Sequence, residues 1–400
     1  MDVLVISYTA PVIASSWGIS SKILGVVFSS GVLGMAIGAL FLAPFADKLG
    51  RKKIILISVI IISFGVLLTG FSTNIFHLIS LRLLSGIGIG TILASTVSLV
   101  SEYTPNRSKD FWVSFVLAGY PLGAIFAGYL SNFILLKYSW QSVYIVFGTL
   151  SLIFIPIVYF FLWESIDFLI KRQPINALSH INKILYKLNF MNIDTLPTHK
   201  NQSNQIPVKR LFKKTYIDST LKLWSAFFFS FACLYFLISW IPKMITEMGL
   251  SLELGIYSGT IFNVGAFFGI ITQGYFSSRF GLKKIISIFL ILTCILMTQI
   301  QYFLGSDSML FVFCILGFTI QGGFVGLYAV AARIYPTEFR TTGVGWSIGA
   351  GRLGAVIGPL IGGLLIGAGL TISMNFMIFG ITALVSGILT YMISFSKTNS

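Results

Sequence analysis

The chain runs to 400 residues, of which 56% are hydrophobic and 10% charged, with a mean hydropathy of +0.91. A soluble domain carries about 25% charged residues, so a water-covered fold is excluded. The formal net charge of +15 would suit a nucleic-acid partner, but its placement along the chain excludes one.

Apolar runs of about 20 residues recur throughout, long enough to cross hydrocarbon and too continuous for barrel strands. They read as about twelve helices, six on each side of a polar stretch, so the expected fold is an all-α membrane bundle. The expected division is a six-helix half over 1–163, a cytoplasmic linker over 164–221, a second half over 222–395 and a tail over 396–400. From Asp2 to Trp17 the first helix is short of a span, whereas its counterpart near Phe228–Met244 sits in a longer run. A truncated first helix is therefore expected, with its first half missing or the start of the chain misassigned. The loop around Lys48, Arg51, Lys52 and Lys53 opens a series of alternate loops that hold most of the 27 Lys/Arg. The opposite loops carry Lys22, Lys137 and Lys243, while Lys222 lies at a helix mouth and Arg82 and Arg352 fall inside apolar runs. That asymmetry assigns the basic loops, the linker and the C-terminus to the cytoplasm.

In the linker, Pro174 opens a pattern with Ile175, Leu178, Ile181, Leu185 and Leu188 on one face, as for a helix lying on the membrane interface. A polar flexible stretch follows, then a basic cluster of Lys209, Arg210, Lys213 and Lys214 that suits anionic lipid. Cys233, Cys294 and Cys314 lie in apolar segments without metal-ligand spacing and read as small core residues. The N-terminus shows no charged region followed by a cleavage site. There is no phosphate-binding G-x-x-x-x-G-K-[ST] loop, catalytic triad or metal cluster, so no enzyme activity and no cofactor are expected.

Two segments repeat each other. Gly38 to Ile54 reads GALFLAPFADKLGRKKI and, 231 positions on, Gly269 to Ile285 reads GIITQGYFSSRFGLKKI. The same offset pairs Pro11 with Pro242, Gly34 with Gly265, Gly86 with Gly317 and Gly123 with Gly354. Two copies of one membrane unit are a mark of secondary transporters. The run Asp47-Lys-Leu-Gly-Arg-Lys-Lys resembles the cytoplasmic signature of the major facilitator superfamily. Its residue types have physical uses. Gly50 permits a turn at positive φ, Asp47 can accept bonds from a helix N-terminus, and Arg51 can pair with the nearby Glu102 and Asp110. Positive-inside bias accounts for the lysines but for neither Asp47 nor Gly50. Ser278 stands at the position matching Asp47, so the two latches are unequal.

A narrower resemblance rests on DVLVISYTAP from Asp2, LRLLSGIGIG with SEYTPNR, and ARIYPTEFRTTGVGWSIGAGRLGAVIGPLIGG. Together these resemble the aromatic acid:proton symporter family over almost the whole chain. The resemblance implies transport of a small organic anion by proton symport with alternating access. It implies that Asp2 matches the second acid of a D-G-x-D pair whose first acid is absent here, which makes Asp2 the candidate for proton coupling. It also matches Arg82 to an arginine of the fourth helix, Arg340 to one ending the tenth loop and Arg352 to one within the eleventh helix. Gating candidates are Asp47, Gly50, Arg51, Glu102, Arg107, Asp110 and Arg340.

An arginine at membrane depth costs about 2.5–3.5 kcal/mol on insertion scales and normally faces a cavity or a partner. Asp2 cannot neutralise both Arg82 and Arg352, and a bound carboxylate would supply the missing charge. Pro121 stands opposite Arg352 at the repeat offset, so that charge belongs to one half alone. Alternatives stay open. Arg82 can snorkel toward the external turn, Arg352 less so, and Asp2 can simply cap its helix. Tyr8, Tyr120, Tyr235, Asn263, Gln273, Gln321 and Tyr328 are candidate lining, and buried Tyr and Gln also serve neighbouring helices. The glycine run from Gly354 to Gly363 reads as packing. Trp163–Leu169 resembles a sugar-porter run but lacks its prolines and arginine. A sugar or drug carrier of the same superfamily is the alternative, and a non-transporting membrane sensor is a third reading. Besides the lipid bilayer, protons and the anion, no partner is expected.

Overall fold

The computed structural model describes residues 2–105, 109–196, 211–213, 215–335 and 340–394. Among these residues the regular structure is helical throughout, with no β-strand. The helices are α1 (Asp2–Trp17), α2 (Ser21–Ile37), α3 (Arg51–Thr69), α4 (Ile75–Tyr103), α5 (Lys109–Leu135) and α6 (Trp140–Phe161). Two short linker helices follow, α7 (Ile166–Arg172) and α8 (Ala177–Lys187). The second set is α9 (Ile217–Glu247), α10 (Leu252–Phe280), α11 (Leu282–Gln299), α12 (Met309–Ile334), α13 (Arg340–Gly367) and α14 (Ile372–Met392). Among the described residues, ten helices are long and apolar enough to cross a membrane. With α1, of 16 residues, and α5, of 27, they complete the expected bundle of two six-helix sets.

The repeat is written into the backbone. Gly50 at φ +100° and Gly281 at φ +96° each interrupt the chain just before the basic helices α3 and α11. A side chain is strained at those angles, which is why both copies keep glycine. Gly38 and Gly269 carry the other shared requirement. A Cβ on Gly38 would strike the carbonyl of Ile87, and one on Gly269 would strike the carbonyl of Phe318, the residue at the same offset from Ile87. So α2 crosses α4, and α10 crosses α12, backbone against backbone. The copies differ just beyond. After Gly38 the chain widens into a π turn over Gly38–Leu42 and then tightens over Ala43–Phe45. Pro44 lacks the N–H that a regular helix needs there. Its counterpart Tyr275 has one, and α10 continues unbroken to Phe280.

By their contacts, the residues form two compact units. The first unit comprises Met1–Val32, Gly119–Val143 and Ile206–Ser400. Its core is aromatic: Phe227, Phe231, Phe236, Trp240, Phe262, Phe313 and Phe376 are all fully buried. Gly354 and Gly358 bring α13 against the backbone of α9 at Phe228 and Ala232. Trp240 closes that seam by donating from Nε1 to the Pro359 carbonyl at 3.0 Å. The glycine run of α13 thus serves close approach between helices.

The second unit comprises Leu33–Ala118 and Tyr144–Gln205. Its linker helix begins at Ala177 rather than at Pro174. Ile181 and Ile184 of α8 pack with Leu169 of α7 beside Tyr103 and Trp163. Lys187 places its ammonium over the Trp163 ring at 5.2 Å. Ile175 is 91% exposed and Leu188 is exposed as well, so the buried stripe is Ala177, Ile181 and Ile184. Lys209, Arg210 and Lys214 lie outside the described residues.

Candidate functional site

Two constellations carry the candidate residues, one in each unit. In the second unit a polar knot ties the loop after α2 to the ends of α4 and α6. Gly50 turns the chain so that Arg51 opens α3. The Arg51 guanidinium pairs with the Glu102 carboxylate near the end of α4, and both side chains are largely buried, at 12% and 13% exposure. Arg51 also donates from Nη1 to Ser165 Oγ at 2.6 Å, and Ser165 Oγ donates to the second Glu102 oxygen at 2.5 Å. Asp47 meets Arg51 at 3.4 Å but leaves 76% of its side chain in solvent.

The acceptor at the N-terminus of α3 is Glu164 rather than Asp47. Glu164 Oε1 receives the backbone N–H groups of Lys52, at 3.0 Å, and Ser165, at 2.9 Å. A carboxylate there satisfies orphan amides and meets the positive end of the helix dipole. Tyr103 donates its hydroxyl to the Glu164 carbonyl at 2.6 Å, and Arg172 donates from Nε to the Asp47 carbonyl at 3.2 Å. A Cβ on Gly50 would collide with the Glu164 carboxylate, so Gly50 makes room as well as turning the chain. Ser165 also caps α7 by accepting from Phe168 N at 3.0 Å. Neither Glu164 nor Ser165 stands out as a site residue in the sequence. The signal was a helix-capping serine just past an apolar run, next to an acid. Arg107 lies outside the described residues, as do the side chains of Asp110 and Arg340.

The two copies solve this corner differently. Leu282 and Arg333 stand where the first copy has Arg51 and Glu102. Lys283 instead donates to the Ile393 carbonyl at 2.5 Å, at the C-terminal end of α14. The negative end of a helix dipole does there what carboxylates do in the first copy.

Arg82, also in the second unit, is 2% exposed. It donates from Nη2 to Thr69 Oγ1 at 3.0 Å and lies 5.1 Å from the centre of the Tyr144 ring. Thr69 itself donates to the Gly65 carbonyl at 2.7 Å. Arg82 therefore ties α3 and α6 to α4, which sequence spacing alone did not reveal.

In the first unit the second constellation gathers around Arg352 of α13, which is 8% exposed. Its guanidinium carbon sits 5.6 Å from the centre of the Phe231 ring, and Nη1 reaches the Tyr235 hydroxyl at 3.4 Å, both from α9. Tyr120 of α5 and Tyr328 of α12 are electrostatic neighbours of both Arg352 and Tyr235. Phe324 meets Phe231 edge-on at 4.6 Å and Tyr328 at 5.6 Å. Gln321 is buried one turn before Phe324 on α12. On α1, Tyr8 is fully buried and donates to the Ala124 carbonyl of α5 at 3.4 Å. Five helices thus bring a cation, aromatic faces and several hydroxyls together. Phe231 had no mark in the sequence beyond its apolar run. Asp2 opens α1, but its side chain is outside the described residues.

A guanidinium held among aromatic rings suits a planar anion. It can pair with a carboxylate in a two-pronged contact while the rings cover an apolar body. No group of His, Cys, Asp and Glu able to hold a metal occurs among the described residues.

The chain matches the Major Facilitator Superfamily model over residues 1–273 and 259–398. It is 34% identical over 391 residues to a gallate transporter of Pseudomonas putida, covering 96% of this chain and 86% of that one. It is 31% identical to a 4-hydroxybenzoate transporter of Pseudomonas aeruginosa, covering 92% and 83%, and 29% identical to a benzoate transport protein of Acinetobacter baylyi, covering 98% and 86%. The xylose transporter XylE of E. coli shares the fold, with a TM-score of 0.76 at 14% identity over 100% of this chain and 97% of that one. The chain is a multi-pass membrane transporter, not an enzyme; it belongs to the Major Facilitator Superfamily and within it is similar to transporters of aromatic acids.

Proposed function

We propose that this protein moves a small aromatic carboxylate across the cytoplasmic membrane, coupled to protons and by alternating access. The observation that carries the reading is Arg352: a guanidinium at membrane depth, 8% exposed, bounded by Phe231 and the Tyr235 hydroxyl. Burying such a charge is costly unless it does work on a ligand or partner. A carboxylate would take the two-pronged contact, and Phe231, Phe324 and Tyr328 would cover the ring. Relatives that carry gallate, 4-hydroxybenzoate and benzoate support the aromatic character of the substrate. Asp2 is assigned the proton, as the acid the family resemblance matches.

The Arg51, Glu102, Ser165 and Glu164 knot serves as a latch, with Asp47, Arg107, Asp110 and Arg340 as further gating candidates. The basic loops, the linker and the C-terminus are assigned to the cytoplasm on the positive-inside rule. The expected organisation is the two sequence halves, 1–163 and 222–395, moving about the linker.

The test is ligand stabilisation of the purified protein, which follows mass action and needs no transport assay. Benzoate should raise the melting temperature and benzamide should not. Arg352→Lys should weaken the effect, because a point ammonium cannot reproduce a planar fork. Equal stabilisation by acid and amide would refute the reading.

A further inference from the structure

We propose that the loop closing the linker helix α8 sinks its tip, Phe190 and Met191, into the anionic headgroup layer of the bilayer, so that the linker meets the lipid through this loop and not through a helix face. The apolar stripe of α8 is not free for that contact, because Ile181 and Ile184 are packed against Leu169 of α7. What stays outside is the segment just beyond. Phe190 is 66% exposed and Met191 92%, with Tyr186 of the last helical turn at 76%.

The backbone holds these side chains out. Asn189 ends the helix in the left-handed region at φ +58°. The N–H groups of Asn189 and Phe190 close back on the Tyr186 and Leu185 carbonyls at 3.1 and 2.9 Å, which is a Schellman closure. In such a closure the residue at the Phe190 position commonly folds back on the one at the Leu185 position, yet Phe190 stands mostly in the open. The far side of the loop is clamped as well. Asn182 accepts from the Ile193 N–H and donates to the Ile193 carbonyl, both at 2.9 Å, and the Ile193 side chain packs into the linker core. A loop fixed at both ends thus presents two adjacent large apolar side chains, and an exposed apolar patch of that kind marks a contact surface.

Charge and position name the occupant. From Lys171 to Leu196 the sequence carries Lys171, Arg172, Lys183 and Lys187 against one acid, Asp194, and all five side chains are exposed. Cations around an apolar tip complement a layer of negative headgroups with acyl chains beneath. The linker also sits at the membrane edge. Tyr159, Phe160 and Phe161, the last residues of α6, are exposed like the aromatic belt of a spanning helix, and α7 opens five residues later at Ile166. Tyr103 packs both with Ile55, Val59 and Leu99 of the bundle and with the linker core, which bolts the linker to the spanning helices.

The test puts a nitroxide at the tip: Met191→Cys in the full-length protein, with Cys233, Cys294 and Cys314 replaced. The labelled protein is reconstituted into phosphatidylcholine bilayers with and without phosphatidylglycerol. Collisions of the label with oxygen, which concentrates in hydrocarbon, are compared with collisions with a water-soluble nickel chelate. With phosphatidylglycerol present the label should meet oxygen and be shielded from the chelate. Lys183→Gln should lower the ratio of inserted to free tip by about fivefold, the worth of one basic group at such a surface. If replacing the cysteines destabilises the protein, amide exchange of the unmodified chain decides instead, and exchange over residues 188–193 should slow when phosphatidylglycerol is added. Free access of the chelate would put the tip in water, and shielding from both reagents would put it against protein. Either result would overturn the proposal, as would a tip whose signal and amide exchange are indifferent to phosphatidylglycerol.

Discussion

Replacing Glu102 with glutamine removes one charge from the latch and nothing else. Glutamine keeps the length of the side chain and can still bond Ser165, so the loss is that of the Arg51 ion pair. Breaking a fully buried pair costs about 3–5 kcal/mol, because the remaining charge is stranded. Here both partners keep slight exposure, and Arg51 retains Ser165 and the distant Asp47. A cost of about 2 kcal/mol follows, which is roughly a 30-fold shift in a two-state equilibrium. Asp47→Asn removes a pair whose acid is 76% exposed. Such pairs are worth about 0–1 kcal/mol. The structure therefore ranks Glu102→Gln well above Asp47→Asn. The assay is the labelling rate of a single reporter cysteine on the side of the membrane that holds the latch, with Cys233, Cys294 and Cys314 replaced. Glu102→Gln should raise accessibility strongly and Asp47→Asn slightly. The reverse order would refute the assignment of Glu102 as the main counter-charge of Arg51.

Other substitutions test the scaffold. Gly38→Ala and Gly269→Ala should each destabilise by at least about 1–3 kcal/mol, since the new methyl meets a carbonyl oxygen that cannot retreat. Melting of the two variants in detergent should be lowered alike if the repeat is structural. Thr69→Val leaves Arg82 without its hydroxyl acceptor and should cost about 1–3 kcal/mol, read as a lower melting temperature. Glu164→Gln should weaken the cap on α3 by about 1 kcal/mol or less, a small loss in the same assay.

Much of this architecture is legible in the sequence. Apolar run length and the 231-residue offset announced the helices, and the matched glycines mark the crossings where α2 meets α4 and α10 meets α12. Gly50 and Gly281 were legible because positive φ leaves little choice of residue. The partners of Arg51 were half legible. Glu102 is marked as an acid flanking the next basic loop, whereas Ser165 arrives from 114 residues away, just past α6. Arg82 stood out as a charge in an apolar run, but its contacts with Thr69 and Tyr144 depend on helix packing that no local pattern encodes. Phe231 was invisible for the same reason, being one phenylalanine among 37. The linker pattern was misregistered by a few residues because Pro174 looks like a helix start, while the chain turns at Asn176 in a left-handed conformation before α8 begins.

The most direct test of the transport claim is uptake of labelled 4-hydroxybenzoate into proteoliposomes containing the full chain, with and without an inward proton gradient. The account predicts accumulation that needs the protein, rises with the gradient, is competed by benzoate but not by benzamide, and falls at least about tenfold in Arg352→Gln, where the charged fork is gone. Uptake unaffected by Arg352→Gln, or competed equally by the amide, would contradict it.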